Sequence, residues 1–271
     1  MLKDMSVNQV RERWREACPA ISGWMTSSCP LIGEALAASG VDCVIIDMQH
    51  SATTLEDAIG LAAVIELRGA EPFVRVPSLD HALVGKLIDL GVTGIIVPMV
   101  ETRRMAETLV SAVRYPPHGT RSVGPRRPRW RFGEDYPQKA AMSIVTLAMI
   151  ETVKGLDALE EIATTDGLDG VFVGPADLAL ALGAAAQSSK ESADSDLELA
   201  VTAIRGRTWS LGRRAGIFGG PAKIASQRLA QGFDLVSTTP DLAAVAATAA
   251  REVRFLRRPV SRESGGHGAR H

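Results

Sequence analysis

Eight short apolar runs, each followed by a stretch of helical spacing, most constrain what this chain can fold into. They fall at 21–26, 42–47, 72–76, 94–98, 143–150, 170–173, 215–218 and 233–236. Several, such as VDCVIID, TGIIVP and IVTLAMI, are apolar on successive positions. Strands covered on both faces read that way, whereas half-exposed strands alternate. Strand followed by helix, repeated eight times, predicts a parallel sheet closed into a single-domain (β/α)8 TIM barrel over 1–258. A length of 271 residues is enough for one such barrel.

The helical spacing is clearest at 55–67, behind the N-cap candidates Thr53 and Thr54, and at 83–91, which ends on Gly91. It recurs at 102–113, 155–163, 221–232 and 241–256. Three stretches break the rhythm. Residues 115–138 (YPPHGTRSVGPRRPRWRFGEDYPQ) are rich in Pro, Gly and Arg and read as a long loop. Residues 184–196 are small and polar, which predicts mobility, and 259–271 read as a disordered tail.

Composition narrows the function classes. A net charge of −1 gives no global pull toward nucleic acid or an anionic membrane. No apolar run reaches the roughly 18–20 residues of a membrane span. The first residues are charged throughout and lack the apolar core of a secretory signal. Three widely spaced cysteines make neither a CxxC pair nor a disulfide framework, which fits a reducing cytoplasm.

In such a barrel the chemistry lies at the C-terminal ends of the strands. The second run ends in IIDMQHS, which places Asp47, Gln49 and His50 at the rim. The third carries Arg75, the fifth ends on Glu151, and the sixth turns through Gly174, Pro175, Ala176 and Asp177 into a helix. Two carboxylates on adjacent strand ends repel unless a cation lies between them. Glu151 and Asp177 therefore suit a hard divalent ion, while helix capping is the bland reading of the same pair. A histidine such as His50 is either a loop residue or a base, and Asp47 three residues earlier favours the base. Arg75 on an apolar strand needs an anion, either a substrate oxygen or a salt bridge, for example to Asp89. Five arginines in 121–131 suit either phosphate or a solvated rim loop; the net charge favours the loop, so no nucleic-acid partner is expected. No lysine ends a strand, which counts against a Schiff base.

With these residues in order, and with the motifs IIDMQHS, VRVP, GVTGIIVPMVET, RYPPHGTRSVG, MIET and GVFVGPADLALALG, the sequence resembles the HpcH/HpaI aldolases from about Gly23 to Asp241. These are class II, metal-dependent pyruvate aldolases. The resemblance implies reversible cleavage of a 4-hydroxy-2-keto acid to pyruvate and an aldehyde through a metal-stabilised enolate. It implies Glu151 and Asp177 as ligands of Mg2+, Mn2+ or Co2+, His50 paired with Asp47 as the base, and Arg75 holding the keto acid. Gly174, Pro175 and Ala176 would face the substrate carboxylate, and Asp89 would reach a neighbouring subunit's site. Gln49 and, by position, Trp24 join the pocket. The family also implies a trimer or hexamer whose last helix is exchanged between subunits.

Two positions depart from the family pattern. It more often has glutamate where Gln49 stands, and often a pyruvate-touching glutamine where Met149 stands. Citrate lyase β-subunit and malyl-CoA lyase barrels use a similar carboxylate pair on CoA thioesters, but DMQH and the short GPADLALALG turn favour the aldolases. A barrel that has lost its chemistry is the non-enzymatic alternative, and the retained Glu151, Asp177, Arg75 and His50 stand against it.

Overall fold

The computed structural model describes residues 7–186 and 190–258, with side chains described outside 184–194. The expected tail at 259–271 lies outside the described residues, as do 187–189 of the stretch expected to be mobile. Eight parallel strands close in sequence order into a barrel. They are β1 (Ala20–Met25), β2 (Cys43–Asp47), β3 (Glu71–Arg75), β4 (Gly94–Val97), β5 (Val145–Ile150), β6 (Gly170–Val173), β7 (Arg214–Ile217) and β8 (Leu235–Ser237). Closure is through β1 and β8, where Ile21 pairs with Val236.

Successive strand residues go to two different cores, which is why the runs are continuously apolar. Trp24, Ile45, Phe73, Ile96, Leu147, Met149, Phe172 and Leu235 fill the barrel. Their neighbours Met25, Ile46, Val74, Ile95, Val97, Ala148, Val171 and Val236 pack outward with residues of the helices. Room inside is tight: a Cβ on Gly94 would lie 2.2 Å from the Phe73 ring. Both layers are excluded from water, and apolar burial of this kind contributes roughly 25 cal/mol per Å2.

Helix α1 (Gln9–Arg15), which has no counterpart among the expected helices, plugs the N-terminal end of the barrel. Its Val10 and Trp14 join the interior cluster. The Asn8 side chain caps it and donates to the Thr93 carbonyl at 3.0 Å.

The expected helices are α3 (Leu55–Leu67), α4 (His81–Asp89), α5 (Arg103–Val113), α12 (Ala222–Ala230) and α13 (Asp241–Leu256). Thr54 and Asp57 form a reciprocal capping box at the start of α3. The expected helix at 155–163 is two short ones, α8 (Val153–Asp157) and α9 (Leu159–Ala163). Also present are α2 (Pro30–Ala38), α10 (Pro175–Ala186) and α11 (Lys190–Ser210). The backbone at 190–196, expected to be mobile, is thus helical.

The long loop of the sequence carries α6 (Arg127–Phe132) and the start of α7 (Tyr136–Ser143), each with a proline in its first turn. Three of its five arginines face inward. Arg127 pairs with Glu66 at 2.5 Å and Arg131 with Glu71 at 2.6 Å. Arg121 pairs with Asp89 at 2.6 Å, and its guanidinium lies 4.6 Å from the Tyr115 ring centre and 5.6 Å from that of Tyr136. These contacts use the charge as internal clamps.

Among the described residues no helix is long and apolar enough to cross a membrane. On α13 only Asp241 is buried, while Leu242, Val245, Val253, Phe255 and Leu256 stand exposed.

Candidate active site

Glu151 follows β5 directly and is only 2 % exposed. Its Oε1 accepts the Met99 backbone N–H at 2.9 Å. Its Oε2 is buried and has no hydrogen-bond partner among the described residues. Burial pushes this carboxyl above its usual range. The Met99 hydrogen bond opposes that, the Asp177 charge adds to it, and the Arg75 and His50 charges pull it down.

Asp177 stands exposed in the first turn of α10, just past β6. Gly174, between them, has no room for a side chain: a Cβ there would lie 2.5 Å from Glu151 Oε2 and 2.6 Å from Met149 Cε. Glycine thus lets the carboxylate lie against the turn into α10.

A buried oxygen with no donor beside a second carboxylate needs a proton or a cation. Both groups are hard oxygen donors, so the pair fits a divalent ion that keeps water or substrate oxygens in its remaining positions. Among the described residues, no three or more His, Cys, Asp or Glu gather into a metal cluster. The candidate centre is the pair Glu151 and Asp177.

Arg75 and Asp47 face each other across the ends of β3 and β2, where they are register partners. Arg75 Nε lies 2.9 Å from Asp47 Oδ1 and Nη2 2.5 Å from Oδ2, a bidentate pair. Arg75 Nη1 takes no partner among the described residues. The guanidinium carbon lies 4.9 Å from the Trp24 ring centre, and Trp24 meets the Phe218 ring edge-on at 5.0 Å.

This corrects two expectations. Arg75 does not bridge to Asp89, which is held by Arg121 at the far end of α4. Nor does Asp47 hold the His50 imidazole. Its oxygens are taken by Arg75 and by the backbone N–H groups of Gln49 at 3.0 Å and His50 at 3.3 Å. A carboxylate so engaged fixes the turn that carries His50 rather than its ring. His50 itself is exposed at the rim. Gln49 keeps a buried, unpartnered Oε1 beside it.

The structure therefore brings Asp47, Gln49, His50, Arg75, Trp24, Glu151, Gly174, Pro175, Ala176 and Asp177 to one mouth. Asp89 is not part of that cluster within one chain. Met99 and Phe218 join the site without having stood out in the sequence. Met99 contributes a backbone donor, which has no residue signature, and Phe218 reads as one more apolar strand residue. A cavity of about 520 Å3 at the opposite end of the barrel, lined by Arg11, Arg114 and Asp169, lies away from all of these groups.

Residues 21–247 match the family model described as HpcH/HpaI aldolase/citrate lyase. The chain belongs to that family. It is 47 % identical over 247 residues to a hydroxypyruvate/pyruvate aldolase of Rhizorhabdus wittichii, covering 91 % of this chain and 97 % of the relative. It is 32 % identical to a 2-keto-3-deoxy-L-rhamnonate aldolase of Escherichia coli, covering 86 % and 87 %. An HpcH/HpaI aldolase/citrate lyase family protein from Burkholderia cenocepacia superposes with a TM-score of 0.84 at 30 % identity, covering 93 % of this chain and all of the other.

Proposed function

We propose that this HpcH/HpaI barrel is a class II pyruvate aldolase that reversibly splits a 4-hydroxy-2-keto acid into pyruvate, or a related 2-keto acid, and an aldehyde. The aldolase relatives support the reaction class. The observation that carries the reading is the buried, donorless Oε2 of Glu151 beside Asp177, within the electrostatic reach of Arg75 and His50.

Glu151 and Asp177 are the residues that would hold Mg2+, Mn2+ or Co2+. When bound, such an ion supplies Lewis-acid polarisation of the keto group and lowers the cost of an enolate. Arg75 is set in advance by Asp47 and Trp24, so its free Nη1 meets a substrate oxygen where negative charge grows without reorganising. The first turn of α10, at Pro175 and Ala176, presents the positive end of a helix to the substrate carboxylate. A ring nitrogen of His50 takes the proton from the C4 hydroxyl, and the C3–C4 bond breaks to release the aldehyde. Protonation at C3 then gives pyruvate. Condensation runs the same steps backward. Trp24 and Phe218 give the pocket an apolar wall, and Gln49 adds a hydrogen-bonding side.

The exposed apolar residues of α13 support exchange of this helix between subunits of a trimer or hexamer, with Asp89 reaching a neighbour's site. Three free cysteines suit a cytoplasmic setting.

The test is pyruvate release from a panel of 4-hydroxy-2-keto acids by the wild type and by Glu151→Ala. Release by the wild type alone supports the reading. Turnover of malyl-CoA or citramalyl-CoA, with none of the free keto acids, contradicts it.

A further inference from the structure

Met99 follows β4 and Pro98 with a backbone φ of +55°. Residues other than glycine seldom adopt this left-handed conformation, because Cβ crowds the backbone. Such outliers persist only where their surroundings over-determine them. In this turn the next residue is clamped on two sides. The Val100 N–H donates to the Met149 carbonyl at 3.2 Å. The Val100 carbonyl lies so close to α8 that a Cβ on Gly155 would come within 2.7 Å of it. The product of this geometry is one contact: the Met99 N–H points at Glu151 Oε1 from 2.9 Å. The side chain does little to secure the loop, being 46 % exposed.

We propose that Met99 is a positioning residue for the metal-binding carboxylate, acting through its left-handed backbone. By donating to Oε1 it fixes the Glu151 side chain in rotation and leaves Oε2 as the one free, buried oxygen toward Asp177. The inference rests on Glu151 being a metal ligand, and it adds that the ligand's orientation is written in the β4–α5 turn. A groove rim that merely needed an apolar residue would tolerate valine at this place. A backbone device would not, because a β-branched residue resists positive φ. Glycine and asparagine tolerate it and would preserve the hydrogen bond while discarding the thioether.

The experiment is calorimetric titration of Mn2+ into the metal-stripped full chain, as wild type, Met99→Gly, Met99→Asn and Met99→Val. The expected result is a Kd within about twofold of wild type for Met99→Gly and Met99→Asn. Met99→Val should weaken binding by about tenfold or more, the scale of lost support around a ligand. Should Met99→Val fail to fold, Met99→Ala makes the same comparison with a milder backbone penalty. Equal affinity in all four proteins overturns the inference, and so does equal loss in glycine, asparagine and valine variants, which would assign the effect to the side chain. Failure of the wild type to bind Mn2+ overturns the metal reading itself, and the inference with it.

Discussion

Arg75 and Asp47 form a buried bidentate pair, with the two side chains 8 % and 2 % exposed and Nη2 2.5 Å from Oδ2. The Arg75 guanidinium is thus carried by a carboxylate that sequence spacing alone assigns to the histidine. Removing one partner of a buried pair leaves an uncompensated charge.

Asp47→Ala is therefore expected to lower unfolding stability by about 3–5 kcal/mol, measured by urea denaturation. Adding Arg75→Met in the same chain should restore much of that stability but no activity. A loss under about 1 kcal/mol in Asp47→Ala would show that Asp47 does not support the arginine.

Glu151 titrates above its usual range because it is buried. The folded, metal-free chain then binds a proton that the unfolded chain, with a glutamate pKa of about 4.3, has released. Its stability should fall as pH rises from about 4 through the raised folded value and level off beyond it. Glu151→Gln should lack that fall. Thermal melts in EDTA across the acid range check this, and parallel profiles for the two proteins would contradict it. At neutral pH, Mn2+ at about 100 times Kd should stabilise the wild type by about 2.7 kcal/mol and leave Glu151→Gln unchanged.

Gly174→Ala places a Cβ against Glu151 Oε2 and Met149 Cε. The carboxylate must swing away. Metal affinity should fall by about tenfold or more, with circular dichroism unchanged. Unaltered Mn2+ binding would mean that Glu151 does not depend on that close approach.

Asp241 ties α13 to the loop after β1, accepting Thr26 and Ser27 hydroxyls at 2.6 Å each and both backbone N–H groups. Burial pushes its carboxyl up, but the hydrogen bonds from Ser27 and Thr26 outweigh this and hold it below the usual range. A carboxyl lowered on folding stabilises the chain above its unfolded pKa of about 3.9 and loses that contribution as pH falls through the folded value. Asp241→Ala should cost about 1–3 kcal/mol at neutral pH and show a shallower loss of stability below pH about 4. An equal acid limb in both proteins would contradict this role.

The barrel is legible in the sequence because burial on two faces writes itself into consecutive apolar residues, as in VDCVIID and IVTLAMI. Strand tips can then be read off, and with them Glu151, Arg75 and the turn at Gly174. Partnership is not legible. Spacing suggests Asp47 for His50, yet the register of β2 on β3 sets Asp47 opposite Arg75, and register is a property of the sheet. The same holds for 121–131. Its arginines look like a charge run, but Glu66, Glu71 and Asp89, distant in sequence, turn most of them inward. The left-handed Met99 gives no signal at all, since methionine is not a residue that marks positive φ.

The most direct test of the central claim is pyruvate release from a 4-hydroxy-2-keto acid by protein stripped with EDTA, before and after Mn2+ is restored. Release that vanishes on stripping, returns with Mn2+ and is absent in Glu151→Ala is the expected result. Release that continues at full rate after confirmed metal removal would contradict the role of Glu151 and Asp177 as ligands of a catalytic metal.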